Sequence, residues 1–543
     1  MDRMSYYGAG NADYIESLYS EYLKNPNSVD KEWQRFFEGL EIGLKRENVS
    51  SGGEKIIDEI RKNAHRFADL DPLKIHKHDP NEILGFLKLK SDQLKGPVTD
   101  PLLVKKGIKD LAAAFEHLKK TYSGTITLQA NDCAAEERDF LYQQFEIEGV
   151  IPKLSNDEKK ARLHEITSVE AMEKFLHSRF VGMKRFSIEG TDTGVTMLET
   201  ILQRLPIEEM VIGMAHRGRI NVLTNFMGKA IKTVLAEFDG KLEPGEGSES
   251  GDVKYHMGFS ADRDTKHGKV HVSLAFNPSH LEFVGPVVQG AAWAKQHMKK
   301  DTDGSKVIPI MIHGDAAFAG QGVVYENLQM ARLECYDVGG TIHIIFDNQV
   351  GFTANPIESR STEYSSDLAK TFSVPVIHVN ADDLEACVRA AEIAADYRQK
   401  FRKDVLIRLN GYRRFGHNEG DEPAYTQPLM YEVVKKHPTA REIYGQKLVK
   451  SGLMSAEEVE QKMSTKIDQL QGILDEVKAS DHPPAVAPIG GAWVGLRRAN
   501  KEEELFKKFD TSTTKDSLKK IIDKIANPPS SFNWNSKLEK QYK

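Results

Sequence analysis

Two residues that could bind a hard cation follow neighbouring apolar runs of the sequence. Asp315 stands directly after Gly314 at the end of one run, and Asn348 follows the next run, 33 residues further along. Glycine permits a tight backbone turn, so Asp315 would present its carboxylate where the run ends. Mg²⁺ prefers six oxygen ligands and commonly takes one or two of them from protein side chains and the rest from carbonyls, water and substrate phosphates. The spacing therefore suits a clamp for Mg²⁺ and a diphosphate, although by itself it also fits an ordinary turn between a strand and a helix.

Polar side chains follow six short apolar runs, each typical of a β-strand. In a doubly wound α/β sheet, ligands bind outside the carboxyl ends of the strands, so the six polar segments are expected to share one rim and to form a site there. The candidate strands are Met210 to Met214, Val270 to Phe276, Val307 to Ile312, Thr341 to Phe346, Val374 to Val379 and Val405 to Leu409. The polar segments after them are residues 215–219, 277–280, 313–317, 347–351, 380–383 and 412–419.

Helical patterns separate these candidate strands. The alternation of strand and helix predicts an α/β fold with a doubly wound, mainly parallel sheet that begins near residue 208. Nothing before that point predicts a parallel strand. The expected helical stretches are Arg219 to Phe238, Leu281 to Lys299, Gln321 to Leu333 and Asp383 to Phe401.

The N-terminal residues favour two short helices ahead of a linker. Residues 12–23 carry apolar side chains on one helical face, Pro26 is expected to end that helix, and a second helix is expected to start with Ser28 as its N-cap. Gly39 and the Gly/Ser stretch at 50–53 predict a flexible linker. The helical pair would then either dock on a partner or fold back on its own chain.

The remaining residues are predominantly helical in pattern. After about residue 429, apolar side chains recur at helical spacing between Val459 and Leu474, which indicates packing rather than function. A Pro/Gly-rich stretch at 483–491 precedes a Lys/Glu-rich tail, which is typical of a solvated face. The predicted domains are an N-terminal helical docking segment at 1–40, a helical module at 41–207, an α/β domain at 208–428, and a helical tail and linker at 429–543.

Composition excludes several classes of protein. The 543 residues include 74 Lys and Arg against 80 Asp and Glu, a net charge of -6, so there is no general positive field for nucleic acid or an anionic membrane. Cys133, Cys335 and Cys387 are far apart, which favours a reducing compartment over a disulfide framework. No apolar run approaches the roughly 18 residues of a membrane span, and the N-terminus has no secretory core. We therefore expect a soluble cytoplasmic protein.

Other catalytic motifs carry little weight. Gly245, Gly247 and Gly251 follow no candidate strand and stand among acidic and serine residues, which favours a mobile loop over a nucleotide site. The sequence contains no His-Glu-x-x-His, P-loop or Gly-x-Ser-x-Gly motif.

Eight segments of the sequence carry a resemblance to one known family. They are YIESLYSEYLKNPNSVDKEWQRFF (14–37), GMAHRGRINVL (213–223), GDVKYHMGFS (251–260), AFNPSHLEFVGPVVQG (275–290), IHGDAAFAGQGVVYENL (312–328), DNQVGFTANP (347–356), HVNADD (378–383) and YRRFGHNEGDEPAYTQPLMY (412–431). The pattern around Asp315 and Asn348 is similar to the thiamine diphosphate motif, a Gly-Asp-Gly followed at a similar distance by Asn-Asn, with Ala316 and Asp347 as departures. Together the segments resemble the thiamine diphosphate-dependent first component of the 2-oxoglutarate dehydrogenase complex. The resemblance covers nearly the whole chain, least clearly residues 54–120 and those beyond about 480.

The resemblance implies a thiamine diphosphate-binding fold and assigns cofactor roles to particular residues. Asp315, Asn348 and the carbonyl of Val350 would hold Mg²⁺ and the diphosphate. Arg217, with its planar fork of donors, would contact a phosphate or carboxylate near the cofactor. The bound cofactor would serve as the electron sink for loss of CO₂ from a 2-oxo acid. The residues that would line the cofactor bed are Leu281, Ala316 and Ala317.

The implied substrate side is rich in histidine. Recognition of 2-oxoglutarate requires a partner for its second carboxylate, and a histidine can supply a donor or a positive charge. His216 and His256 match the family histidines that hold substrate, and Ser279 and His417 are expected as further contacts. Two more histidines, which would either support the site from behind or simply pack, are His280 and His313.

The activity implied is that of a 2-oxoglutarate dehydrogenase (succinyl-transferring) of the tricarboxylic acid cycle. Such an enzyme oxidatively decarboxylates 2-oxoglutarate and passes the succinyl group to a lipoyl-bearing dihydrolipoyl succinyltransferase. The alternatives are a dehydrogenase or decarboxylase for another 2-oxo acid, and a non-catalytic fragment that only binds. The expected location is the cytoplasm, or the mitochondrial matrix in a eukaryote.

The family also implies a homodimer whose cofactor lies between two subunits, with a pyrimidine-binding domain supplied by the partner. No segment of this sequence resembles that domain or the C-terminal domain that follows it in the family. We therefore expect this chain to form one half of the cleft, either as a truncated form or together with a complementary pyrimidine-domain chain.

Overall fold

The structure, a computed structural model, describes residues 12–75, 79–241, 255–480 and 502–542. The chain divides into two compact units. The first comprises Met1–Glu246 with Ser250–Pro488, and the second Gly247–Glu249 with Ile489–Lys543. The predicted mobile loop around Gly245 and the Pro/Gly-rich stretch at 483–491 lie outside the described residues.

One eight-stranded sheet organises the first unit, and it confirms the predicted α/β class. The order across the sheet is β1-β7-β8-β6-β5-β2-β4-β3, with six central parallel strands and an antiparallel strand at each edge. The strands are β1 (Ile126–Gln129), β2 (Glu209–Met214), β3 (Phe259–Thr265), β4 (Gly268–Leu274), β5 (Val307–Gly314), β6 (Ile342–Asp347), β7 (Val376–Asn380) and β8 (Val405–Asn410).

All six predicted strands are present, and the two edge strands are additions. Strand β3, FSADRDT, alternates half-buried and exposed positions and contains no apolar run, and β1 has only four residues. Neither therefore gives a strand signal of its own. Because β1 pairs with β7, the sheet draws one strand from the region predicted to be helical throughout.

Helices cover both faces of the sheet, as a parallel sheet requires. The helices before β2 are α1 (Ala12–Lys24), α2 (Lys31–Asn63), α3 (Ile83–Phe86), α4 (Pro101–Lys105), α5 (Leu111–Tyr122), α6 (Ala135–Tyr142), α7 (Asn156–Arg179) and α8 (Thr193–Arg204). Those after it are α9 (Arg219–Asn221), α10 (Ile231–Phe238), α11 (Val284–Lys299), α12 (Asp315–Gly320), α13 (Gly322–Met330), α14 (Pro356–Ser359), α15 (Leu384–Phe401), α16 (Pro428–Val434), α17 (Ala440–Lys450) and α18 (Ala456–Ala479).

The core lies on both sides of the sheet. On one face α8, α15 and the N-terminal helices share a large apolar cluster with the strands. On the other face α11 buries Val284 and Val288 against Val211 and Met311 of the strands. The helix expected at Arg219 to Phe238 is interrupted after Phe226, where Gly228 adopts a positive φ. The apolar stripe of α18 is buried against α7 and α10, which confirms its packing role.

The predicted linker at Gly39 and 50–53 is wrong, because one helix, α2, runs through both positions. Asp30 rather than Ser28 caps this helix, since its carboxylate accepts hydrogen bonds from the backbone N–H groups of Glu32 and Trp33 at 3.0 Å each. A Cβ added to Gly53 would lie 3.1 Å from the Leu111 side chain. This glycine therefore makes room for α5 and is not a flexible joint.

The N-terminal helices pack on each other. Ile15, Val29 and Phe37 are buried in a small cluster of their own between α1 and α2. Whether this pair also docks on a partner stays a prediction.

The second unit holds three helices among residues 502–542: α19 (Glu502–Leu505), α20 (Lys515–Ala526) and α21 (Ser536–Tyr542). Across the parts of the chain that the structure describes, no helix has the length and apolar character needed to cross a membrane. Cys133 and Cys387 are buried, Cys335 is exposed, and all three are free thiols.

The register of the parallel strands brings four carboxyl ends to the same level. Met214 pairs with Ile312, Gly314 with Phe346, and Asp347 with Asn410. From β2 the chain runs one way to β4 and then crosses back to β5 on the other side. Such a reversal of strand order is where open α/β sheets bind ligands.

Candidate active site

A cavity of about 110 Å³ opens at the carboxyl ends of β2, β5, β6 and β8. It is smaller than four other cavities, which measure about 660, 790, 450 and 190 Å³, but of those four only the cavity of about 450 Å³ touches a predicted polar strand end. The residues predicted for the site that line it are His216, Arg217, Leu281, Asp315, Ala316, Ala317, Asn348, Val350 and His417. The structure thus brings together most of the residues that the sequence analysis selected.

The other two predicted residues, His256 and Ser279, do not line this cavity but lie at its rim. The Tyr255 ring, next to His256, is 4.8 Å from the Phe186 ring, which in turn is 4.0 Å from that of His216. The Ser279 hydroxyl is 3.5 Å from Nε2 of His256. Buried Arg219 holds this part of the rim in place, because its guanidinium donates to the carbonyls of Met214 and Met257 at 3.0 Å each.

One predicted rim segment lies elsewhere, so the expectation of a single shared rim is wrong for residues 380–383. Asn380, Asp382 and Asp383 line a separate cavity of about 450 Å³. The reason is strand order: β8 stands between β7 and β6, which moves the end of β7 away from the switch point. The polar groups there have structural partners, since Asp383 caps α15 and accepts from the Thr125 hydroxyl at 2.6 Å.

Two buried carboxylates meet at the floor of the cavity. Asp315 is 3% exposed and Asp347 fully buried. Burial and the negative charge of Asp347 raise the pKa of Asp315 to about 8. Burial also opposes ionisation of Asp347, but the charges of Arg408, 2.6 Å away, and of Arg360 outweigh it and lower the pKa of Asp347. A bound divalent cation would relieve the repulsion that the apo site imposes on Asp315.

Asn348 supplies a free acceptor beside this pair. Its Oδ1 is buried and has no hydrogen-bond partner among the described residues, which is costly unless a ligand completes the site. A Cβ added to Gly351 would lie 2.6 Å from that of Ala316, so only glycine lets the segment with Asn348 and Val350 approach α12 this closely. The donors therefore fit a hard cation.

Protein side chains alone do not complete a metal site. Within the described ranges, no group of three or more His, Cys, Asp or Glu side chains is placed to hold a metal. Mg²⁺ would take Asp315, the Asn348 amide oxygen and a backbone carbonyl, with its remaining oxygens from phosphate and water. That ligand set is the one Mg²⁺ commonly uses with phosphate substrates.

Two arginines of the cavity wall donate their hydrogen bonds to backbone carbonyls. Arg217 donates to the carbonyls of Ser187 at 3.0 Å and His417 at 2.8 Å, and Arg413 donates to those of Phe415 and Phe352. Burial and the neighbouring charge of Arg413 lower the pKa of Arg217 to about 10. The predicted contact of Arg217 with a phosphate or carboxylate stays a prediction, because both of its Nη groups already hold loops together.

The upper wall is a cluster of rings around His216. The Phe186 ring lies 4.0 Å from that of His216 and 5.7 Å from that of His417 between centroids, and Phe352 is 5.3 Å from His417. Burial, followed by the charge of Arg217, lowers the pKa of His216 to about 3 and also lowers the pKa of His417. Both imidazoles are therefore neutral hydrogen-bonding groups near pH 7 and not cations.

Glu419 fixes the position of Phe186. Phe186 has a φ of 51°, a left-handed conformation that is costly for a bulky residue. The carboxylate of Glu419 accepts hydrogen bonds from three successive backbone N–H groups, those of Arg185 at 2.8 Å, Phe186 at 3.1 Å and Ser187 at 2.9 Å. Phe186 was not predicted for the site, and Glu419 was included only as the last residue of the polar segment 412–419, because no local pattern signals a contact across more than 230 positions.

The two secondary histidines differ in role. His313 lines the cavity and is buried, with its Nδ1 2.5 Å from Glu282 and its Nε2 2.9 Å from His343. His280 is exposed and lies 5.9 Å from the Phe283 ring. His313 thus supports the wall of the site, whereas His280 does not reach the cavity.

Comparisons with known proteins identify two families that match this chain. The family described as dehydrogenase E1 component matches residues 164–488, and the family described as 2-oxoglutarate dehydrogenase N-terminus matches residues 4–44. Similar proteins named 2-oxoglutarate dehydrogenase E1 component occur in Rickettsia typhi at 39% identity, Shouchella clausii at 42% and Azotobacter vinelandii at 38%. These alignments cover 98 to 99% of this chain and 60 to 61% of each relative.

Proposed function

The chain belongs to the dehydrogenase E1 component family, and on that premise we propose that its cavity binds thiamine diphosphate with Mg²⁺ for the decarboxylation of 2-oxoglutarate. Proteins of this family depend on thiamine diphosphate and a divalent metal, typically Mg²⁺. The observation that carries the proposal is the buried, unpartnered Oδ1 of Asn348 beside the buried carboxylate of Asp315.

The floor of the cavity would hold the diphosphate end of the cofactor. Asp315, Asn348 and the Val350 carbonyl are the proposed metal ligands. Leu281, Ala316 and Ala317 present small or apolar surfaces beside them. When bound, thiamine diphosphate supplies the electron sink for cleavage of the bond to CO₂.

The upper wall would orient the 2-oxo acid and limit access of water. Neutral His216 and His417 can donate a hydrogen bond to a carbonyl or carboxylate oxygen without adding charge. Phe186 and Phe352 cover one side of these imidazoles with apolar rings. Exclusion of water strengthens each of those hydrogen bonds.

The rim would distinguish a dicarboxylate from a monocarboxylate. His256 and Ser279 lie within 3.5 Å of each other beside the cavity, and we assign the far carboxylate of 2-oxoglutarate to them. The names of the similar proteins also support 2-oxoglutarate as the substrate. The succinyl group would pass to a lipoyl-bearing second component.

The chain spans about 60% of the length of the curated relatives it matches. For the assembled enzyme we propose a homodimer or a complex with a complementary chain. Exposed apolar side chains near α11 support such an interface; they are Phe276, Phe283, Val287, Trp293 and Met298. The cytoplasmic location stays a prediction.

The test of this function is turnover with a choice of substrates. The chain would be mixed with Mg²⁺, thiamine diphosphate and an artificial electron acceptor, alone and with any complementary chain, and supplied in turn with 2-oxoglutarate, pyruvate and 2-oxoadipate. Preferential turnover of 2-oxoglutarate is expected. Preference for another acid would favour a different 2-oxo acid dehydrogenase, and cofactor binding without any turnover would favour a purely binding role.

A further inference from the structure

Arg360 is a cation beside the proposed diphosphate site whose donors are unused. Its Nε and Nη1 are buried, and neither has a hydrogen-bond partner in the described part of the chain. By contrast, the guanidinium groups of Arg217 and Arg413 donate hydrogen bonds to backbone carbonyls. Buried donors are nearly always paired in folded proteins, so the unpaired fork of Arg360 indicates a ligand that completes it.

The place of Arg360 in the fold puts it on the phosphate side of the cavity. It directly follows α14, in the connection between β6 and β7. A Cβ built on Gly351 would lie 3.9 Å from that of Ser359, the residue before Arg360, and 2.6 Å from that of Ala316. The segment carrying Arg360 therefore stands against the same narrow gap as the proposed metal ligands, and its charge acts on Asp315 and Asp347.

The backbone around Arg360 is anchored on both sides. Before it, Asn355 and Glu358 form a reciprocal capping box with two hydrogen bonds of 3.1 Å. After it, the Ser365 hydroxyl donates to Asp347 at 2.8 Å and the Tyr364 hydroxyl lies 3.0 Å from Nδ1 of His65. The segment that carries Arg360 is thus held in place before any ligand arrives, which lowers the entropic cost of binding through it.

Charge balance gives the chemical class of that ligand. Asp347 is already paired with Arg408, and a Mg²⁺ ion would be neutralised in part by Asp315. A diphosphate bound to that ion would still carry negative charge on its outer oxygens. A planar guanidinium is the side chain best suited to bind such oxygens in a bidentate manner.

We propose that Arg360 binds the diphosphate group of the cofactor, beside the proposed metal ligands. This proposal rests on the proposed function, because it assumes that the cavity binds thiamine diphosphate. Arg360 would then set the affinity for the diphosphate and would leave the thiamine rings to other residues.

Calorimetric titration with magnesium pyrophosphate tests the proposal, since this probe contains the diphosphate without the rings. Arg360→Gln is expected to weaken its binding on the order of 10- to 100-fold, the loss typical of a charge-assisted pair. Arg360→Lys keeps the charge but not the fork and should fall between that variant and the wild type. Arg204→Gln is the matched control, because Arg204 pairs with Asp396 and does not line the cavity.

The possible outcomes separate this proposal from the function on which it rests. Wild-type binding that Arg360→Gln leaves within twofold would overturn the role of Arg360 while the cofactor site stands. If the wild-type chain binds neither magnesium pyrophosphate nor thiamine diphosphate, the cofactor site is refuted and this proposal with it. The melting temperature of each apo variant shows that it is folded, and Arg360→Lys supplies the comparison if Arg360→Gln does not fold.

Discussion

At the scale of single residues, the proposed metal ligands were the most predictable part of the candidate site. Gly314, Asp315 and Asn348 follow neighbouring strands at a spacing that predicts a site for Mg²⁺ and a diphosphate, and the structure brings them to one cavity. Phe186, Glu419 and Arg360 were not predictable in this way. Phe186 and Glu419 act through a contact between segments far apart in the chain, which leaves no local pattern. Arg360 follows a short helix and not a strand, so the search of strand ends does not reach it.

Asp315 should destabilise the apo protein while serving the bound cofactor. The pKa of Asp315 in the folded protein, about 8, lies above its ordinary value of 3.8. Between pH 3.8 and pH 8 the carboxyl is therefore protonated in the folded state and ionised in the unfolded state. Asp315→Asn should therefore stabilise the apo chain relative to wild type, by at least about 1 kcal/mol at pH 7.5, and the difference should shrink toward pH 4. Denaturant unfolding of both proteins at each pH measures it, and a variant less stable than wild type at pH 7.5 would refute the assignment.

His256 should affect the substrate more than the cofactor. It lies at the rim beside Ser279 and does not line the cavity floor. His256→Leu should raise KM for 2-oxoglutarate about tenfold or more, as expected for loss of one polar contact to a charged group, with thiamine diphosphate affinity within twofold of wild type. His280→Leu is the control, since His280 is exposed outside the cavity. Steady-state kinetics with an unchanged KM in His256→Leu would remove His256 from the substrate site.

At the scale of elements, strands were predicted better than connections. Five of the six parallel strands are almost fully buried and rich in apolar residues, which makes them predictable from the sequence. In β4, buried Val270, Val272 and Leu274 alternate with polar residues, and this alternation also predicts a strand. Strand β3 has no buried position and gives no such signal. The predicted linker failed for a related reason. Gly53 faces Leu111, and sequence alone does not distinguish a glycine required for close packing from one that gives flexibility.

The Glu419 contact should control the mobility of the Phe186 turn. Three backbone N–H groups depend on one carboxylate whose side chain is 4% exposed. Glu419→Gln removes the charge and one acceptor oxygen, so amide hydrogen exchange at residues 185–187 should accelerate about tenfold or more. Glu422→Gln, which alters the cap of the neighbouring 3₁₀ turn, should leave those amides unchanged. Equal exchange in Glu419→Gln and wild type would show that the turn is held by other contacts.

At the scale of the whole molecule, the helical module, the sheet and the loop of Arg360 meet at a buried histidine. Nδ1 of His65 lies 3.0 Å from the Tyr364 hydroxyl, and Nε2 lies 3.1 Å from the Gln129 amide, which in turn bonds His378. Nε2 of His65 accepts a hydrogen bond from the Gln129 N–H, so it cannot carry a proton itself and the imidazole stays neutral. This agrees with the lowering of the pKa of His65 to about 3 by burial and by nearby Arg66.

The contribution of His65 to stability should therefore depend on pH. Its folded pKa lies below the ordinary value of 6.5, so its contribution is present above pH 6.5 and declines as pH falls toward 3. Between pH 7.5 and 5.5 the destabilisation caused by His65→Gln should shrink by roughly 1 kcal/mol. The variant is compared with wild type at each pH because buried carboxyls with raised pKa values, such as Glu189, respond in the opposite direction. A pH-independent difference would contradict this, because it would mean that folding leaves the pKa of His65 unchanged.

Binding of thiamine diphosphate with and without Mg²⁺, measured by calorimetry, tests the central claim most directly. Asp315→Ala is the decisive variant, and Asp264→Ala, an exposed acidic residue on β3, is its control. The wild type and the control should bind the cofactor only when Mg²⁺ is present, and Asp315→Ala should lose that binding. Equal affinity of Asp315→Ala and wild type, or binding that ignores Mg²⁺, would contradict the proposal of a magnesium-diphosphate site at these strand ends.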